Sequence, residues 1–175
     1  PDKDKSAEVK KQARKTDSKR IKTFDDILRS AKKEILFFSG NLSFINLKSD
    51  DIDLLDTLED LARKGIKMKV ICRIDYAGIN NVEKLLSINK KLGKEMIGIR
   101  HKEQPLRVTI IDNKIMSMKE IHPETGKEGE LDTKTYVFYT IKNKEWVDWI
   151  SRIFWRRFNN SIGAEKRLEE LEKIL

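Results

Sequence analysis

The chain has 175 residues, 38% of them charged and 38% apolar, with a formal net charge of +8. That length suits one α/β domain with flanking segments. No apolar run approaches the ~20 residues needed to span a bilayer, and the basic start is not followed by the apolar stretch of a secretory leader, so a soluble, cytoplasmic protein without membrane contact is expected.

The positive charge is unevenly placed. Residues 1–22 hold nine Lys or Arg against four Asp or Glu, a net of +5, while the remainder contributes +3. This first segment has almost no apolar residues to bury, so residues 1–19 are read as a basic linker or arm, with phosphate contact as its functional alternative. The chain opens at Pro1 rather than methionine, and a further module ahead of it is an expectation carried into the functional reading. Abundant Lys, Glu and Ile are common in proteins of thermophiles.

From Ser18 to Lys33 the residues Ile21, Phe24, Ile27, Leu28 and Ala31 form a helical stripe, with Asp25 and Asp26 expected near the N-terminal turn. Glu34–Ser39 is a short apolar run that reads as a buried strand feeding the loop Ser39-Gly40-Asn41. Ser49, Asp50 and Asp51 offer N-caps to a helix with Leu55, Leu58 and Leu61 on one face, ended by Gly65. A second strand spans Ile66–Cys72, and its apolar surroundings make the single cysteine a buried thiol rather than a disulfide partner. Asn80 and Asn81 open the next helix, Gly93 stops it, and Met96–Arg100 is a third strand.

The second half changes character. Leu106–Ile111 and Lys114–Met118 flank Asp112-Asn113, a hairpin turn pair, and Lys134–Lys142 is a further β-rich run. His122 to Glu130 reads as a loop. A helix then runs from Asn143 to about Ser161, followed after Gly163 by a charged C-terminal helix. The expected fold is an α/β domain over residues 20–162, a mixed and mostly parallel sheet flanked by helices, with residues 163–175 as a separate helical tail.

Chemistry is concentrated in Pro105-Leu106-Arg107-Val108-Thr109-Ile110-Ile111-Asp112. This stretch keeps the spacing of the His-x-Lys-x-x-x-x-Asp motif with proline in the histidine place and arginine in the lysine place. Together with the order of elements around it, it resembles one half of a phospholipase D-type fold, and it is similar to the C-terminal effector domain of archaeal TrmB-type transcriptional regulators. In active members of that superfamily the histidine attacks phosphorus, the lysine holds the nonbridging oxygens, and two half-sites meet across an axis. Proline has no nucleophilic atom, so catalysis by that route is not expected.

The resemblance implies a homodimer, DNA contact through an upstream domain or the basic N-terminal segment, and a small-molecule effector; no cofactor or metal is implied. The alternative is a nuclease-like protein that binds nucleic acid in the old phosphodiesterase cleft. Arg107 can still bind a phosphate or carboxylate through its fork of donors, and Asp112 is either a partner in that site or a turn residue. Ser39, Asn41, Arg73 and Asp75 follow the first two strands at the sheet end where open α/β folds place ligands, and are candidate pocket walls. His101 reads as an exposed histidine at a polar strand end and His122 as a solvated loop residue. On the long C-terminal helix, Trp149, Arg152, Trp155 and Arg156 mix aromatic and basic side chains. Packing or dimerisation is the favoured reading there and nucleic-acid contact the alternative.

Overall fold

The computed structural model describes residues 8–11, 18–128 and 135–174. The chain runs through β1 (Glu8–Lys11), α1 (Ser18–Arg29), β2 (Glu34–Phe38), a 3-10 turn (Ser43–Asn46), α2 (Leu54–Arg63), β3 (Lys67–Cys72), α3 (Ile79–Leu92) and β4 (Ile97–His101). It continues through β5 (Val108–Ile111), β6 (Ile115–His122), β7 (Thr135–Ile141), α4 (Lys144–Asn159), β8 (Ile162–Gly163) and α5 (Ala164–Glu172). The strands form one sheet in the order β1-β7-β6-β5-β2-β3-β4-β8.

The mixed sheet flanked by helices is found as expected, with a different balance of directions. Only β2 with β3 and β3 with β4 pair in parallel; the other five pairings are antiparallel. Two β-α crossovers supply the parallel centre, and the hairpins of the second half, which need no crossover, add strands on one side of it.

Alternation along β2 explains the layers. Ile35 and Phe37 face a core formed with α1, α2, α3 and α5, while Leu36 and Phe38 face a second core built with Val147, Phe154 and Phe158 of α4. A central strand buried on both faces reads as a continuous apolar run, as Ile35-Leu36-Phe37-Phe38 does. Ala164 and Leu171 place the C-terminal helix in the same core as the rest of the domain.

Several local expectations shift. The segment expected to be a linker contains β1, an antiparallel partner of β7, while residues 1–7 and 12–17 lie outside the described residues. The N-cap of α2 is Asp53, which accepts from Leu55 N at 3.0 Å, because a 3-10 turn and a bridge between Lys48 and Asp53 occupy the stretch before it. Helix α1 begins at Ser18, so Asp25 lies in its middle, where its buried carboxylate accepts from Thr57 Oγ1 and from Arg29 Nε. That carboxylate joins α1 to α2 and has nothing to do with a helix start.

The Asp112-Asn113 turn is as anticipated, with φ of 51° and 53°, the left-handed pair that a tight hairpin with the twist of its strands requires. Its carboxylate does more than turn the chain. Asp112 accepts from the backbone N–H of Lys32 (2.8 Å), Lys33 (2.8 Å) and Glu34 (3.0 Å), fixing the connection between α1 and β2. Burial works against the charge, but the three donors prevail and hold the carboxyl below its ordinary pKa.

A group with a depressed folded-state pKa contributes stability above its unfolded value, about 3.9 for aspartate, and loses it as pH falls through the folded value. Asp112→Asn, which keeps the left-handed backbone preference, should therefore cost about 1–3 kcal/mol at neutral pH in urea unfolding. The same variant should flatten the decline of stability below about pH 4.

Candidate functional site

The ends of the central strands meet at one rim of the sheet. Because β2 and β3 are parallel and β5 runs against β2, the C-terminal ends of β2 and β3 lie beside the start of β5. Ser39, Gly40, Arg73, Glu103, Gln104, Pro105 and Arg107 line a cleft of about 340 Å³ there.

Arg107 lies across Gly40. A β-carbon at that glycine would sit 2.7 Å from Arg107 Nη2 and 3.0 Å from Cζ, so the missing side chain is what lets the guanidinium rest against the backbone. Arg107 Nη1 donates to the carbonyls of Leu106 (3.0 Å) and Gln104 (3.3 Å). Gln104 in turn donates from Nε2 to Ser39 O at 2.9 Å and accepts from Leu106 N at 2.7 Å, which pins the rim loop to the end of β2. No carboxylate pairs with Arg107 among the described residues. Partial burial, then the like charge of Arg73, lower its pKa below the ordinary guanidinium value, and it remains a cation at neutral pH.

Arg73 is held on the other side. Its N–H donates to Gly40 O at 2.7 Å, and its Nε pairs with Asp75 Oδ2 at 2.7 Å. Asp75 also accepts from Gly78 N at 3.0 Å, so it orients Arg73 and the start of α3 without itself lining the cleft. Ser39 lines the cleft, yet its hydroxyl accepts from Leu42 N at 3.2 Å and serves the loop. Asn41 lies outside the lining: its Oδ1 accepts from Ser43 N at 3.2 Å and its carbonyl receives Asn81 Nδ2 at 3.0 Å. Pro105 faces the cleft with no group that can attack phosphorus.

Asp112, expected as a possible partner of Arg107, is at the far end of β5, bonded to residues 32–34. Antiparallel pairing with β2 sets the two ends of the motif at opposite rims of the sheet, which assigns Asp112 to the hairpin turn. Sequence reading had passed over Gly40 and Gln104 as individual actors. The signal for Gln104 was its place directly before Pro105; for Gly40 there was none until Arg107 was seen to need the space.

His101 differs from its expectation. It is half-buried, and its Nδ1 accepts from Ile74 N at 2.9 Å, so the neutral ring carries its proton on Nε2. Burial and then Arg167 lower its pKa, against the opposing pull of Glu103, Glu170 and Asp75.

On α4, Trp155 packs against Phe154 (5.4 Å) and Phe158 (5.6 Å) at the second core, while Trp149 is 50% and Trp146 54% exposed. Arg152 and Arg156 are exposed beside them.

Comparison with solved structures defines the class of this fold. The phospholipase D family member Nuc from Salmonella typhimurium superimposes with a TM-score of 0.60 at 13% identity, over 92% of this chain and 99% of that one. NucT from Helicobacter pylori gives 0.58 at 13% identity, over 91% and 99%. TrmBL2, an archaeal chromatin protein described as showing a novel mode of DNA binding, gives 0.57 at 17% identity. That match covers 90% of this chain and 53% of TrmBL2, so the chain spans about half the length of that protein. The fold is therefore phospholipase D-like, shared with Nuc, NucT and part of TrmBL2. No family model and no curated protein matches the sequence, and among the described residues no helix is long and apolar enough to cross a membrane.

The histidine supplies a pH signature. A base with a depressed folded-state pKa contributes fully above its unfolded value, about 6.5, and the contribution shrinks as pH falls below that value toward the folded one. Unfolding free energy should thus decline between pH 7 and 5, and His101→Asn, whose Oδ1 can still accept from Ile74 N, should remove that part of the slope in denaturant titrations.

Proposed function

We propose that this domain is a non-catalytic, anion-receiving effector domain of a DNA-associated regulator. In this reading the rim cleft takes a small phosphate- or carboxylate-bearing molecule, and DNA is contacted outside residues 20–162, by an upstream domain or the basic N-terminal segment. The observation that carries it is the seat of Arg107 on Gly40: a guanidinium with no carboxylate partner among the described residues, facing a cleft shared with Arg73, where Pro105 replaces a nucleophile. Two fixed cations and an open cleft suit bidentate capture of an anion. The likeness to TrmBL2 supports a DNA-associated setting, and the paired half-sites of phospholipase D-type folds support a homodimer.

The second reading, nucleic-acid binding in the cleft itself, is favoured by the likeness to Nuc and NucT. The two diverge at Arg107. An anion at a hundredfold excess over its Kd should raise the unfolding free energy by about 2.7 kcal/mol, and inorganic phosphate and citrate are the first probes. Arg107→Ala should abolish this gain. Gly40→Ala should weaken it, because the clash falls on the movable end of Arg107, while leaving the unliganded stability within about 1 kcal/mol. If neither anion shifts the melting curve and Arg107→Ala instead lowers the salt slope of duplex DNA binding, the cleft contacts nucleic acid directly and the effector reading fails.

A further inference from the structure

The outer face of α4 is a surface that the cleft reading leaves unused. Viewed down the helix, Val147, Ser151, Phe154 and Phe158 point into the sheet, Ile153 packs at the edge of the same core, and the exposed arc opposite carries Glu145, Trp146, Trp149, Arg152 and Arg156. The two tryptophans stand edge to face, 5.9 Å between centroids at 79°, and each is about half exposed, so indole surface is open to solvent. Large aromatics are usually buried, and two adjacent exposed ones need a partner to explain them.

Charge limits what that partner can be. Arg152, Arg156 and the neighbouring Arg157 have no carboxylate within ion-pair distance among the described residues; Asp148 is bonded to Lys144 and Asn113, and Arg152 feels it only as a longer-range charge. Glu145 is the single acid on the arc. A second copy docking here would set the single carboxylate of the arc, Glu145, against Arg152 and Arg156 and bring like charges together across the twofold. An acidic peptide would satisfy the arginines and leave the indoles uncovered. A nucleic-acid duplex would do the same, since its base faces are stacked on one another.

We infer that this face binds single-stranded DNA, with bases stacked on Trp149 and Trp146 and the backbone running along Arg152 and Arg156. Four residues of helix separate the two arginines, about 6 Å of axial rise, so they can serve neighbouring phosphates of one strand. Between Glu145 and Arg156 the arc has no amide or hydroxyl side chain placed to use a 2′-hydroxyl, so nothing there selects RNA. The inference goes beyond the effector reading and does not depend on the cleft.

Tryptophan emission reads the contact directly. The chain has three tryptophans, and Trp155, packed at the core, is an internal reference for the other two. Titrating the full chain with a deoxythymidine oligomer at low salt should quench emission. Trp149→Ala should weaken binding at least about fivefold, the lower bound for one stacked base. Arg152→Ala with Arg156→Ala should lower the log–log salt slope by about 1.4, at about 0.7 per phosphate on a single strand. Circular dichroism checks that these surface variants stay folded. An affinity unchanged by Trp149→Ala, a blunt duplex bound as tightly as the single strand, or a uridine oligomer bound far more tightly would overturn the inference. So would polyglutamate competing equally well, or a mass doubling without DNA that Trp149→Ala abolishes.

Discussion

Burial of β2 on both faces is the constraint around which this domain is arranged. A strand that presents Ile35 and Phe37 to one layer and Leu36 and Phe38 to another must have helices on both sides and neighbours at both edges. Its parallel partner β3 comes from a crossover through α2, and its antiparallel partner β5 opens the hairpin region. The direction of those two partners brings Gly40, Arg73 and Arg107 to one rim. The site is thus a by-product of how β2 is paired, as ligand positions at the strand ends of open α/β sheets commonly are.

The phosphodiesterase-like spacing is split by the same geometry. Pro105 and Arg107 stand at the cleft rim, and Asp112 closes the opposite rim. Asp112 is accounted for by three backbone N–H groups that need a carboxylate, independently of any chemistry at the other end of β5. Pro105 and Arg107 line the cleft, where a substitution leaves the cores untouched. The likeness to Nuc, NucT and TrmBL2 is therefore a likeness of framework.

Much of that framework was legible in the residues. Ile35-Leu36-Phe37-Phe38 announced a doubly buried strand, Gly93 ended α3 at a φ of 66°, and Asp112-Asn113 turned the hairpin. These are local signals with local causes. β1 was illegible because Glu8-Val9-Lys10-Lys11 owes its strand state to pairing with β7, and β8 because two residues carry no pattern. Asp25, expected near the N-terminal turn of its helix, is a buried link to Thr57, since the periodicity of α1 does not mark where the helix starts. At the site, Arg107 could be nominated from the motif spacing and Arg73 from its place at a strand end. Their packing could not: Gly40 beneath one guanidinium, Asp75 beside the other, and Gln104 tying the loop to Ser39 are contacts between segments far apart in sequence.

The hairpin turn has a consequence for how the domain comes apart. Asp112 holds the connection between α1 and β2 on one side, while Asn113 donates to Asp148 and accepts from Ser151 on α4 at the other. Two residues in a tight turn thus bond to both helical layers, and detaching either layer strips partners from the same turn. A two-layered sheet protein can lose its layers one at a time. Here the shared turn couples them, so opening is expected to be cooperative across the sheet, with no partly dismantled state of appreciable population.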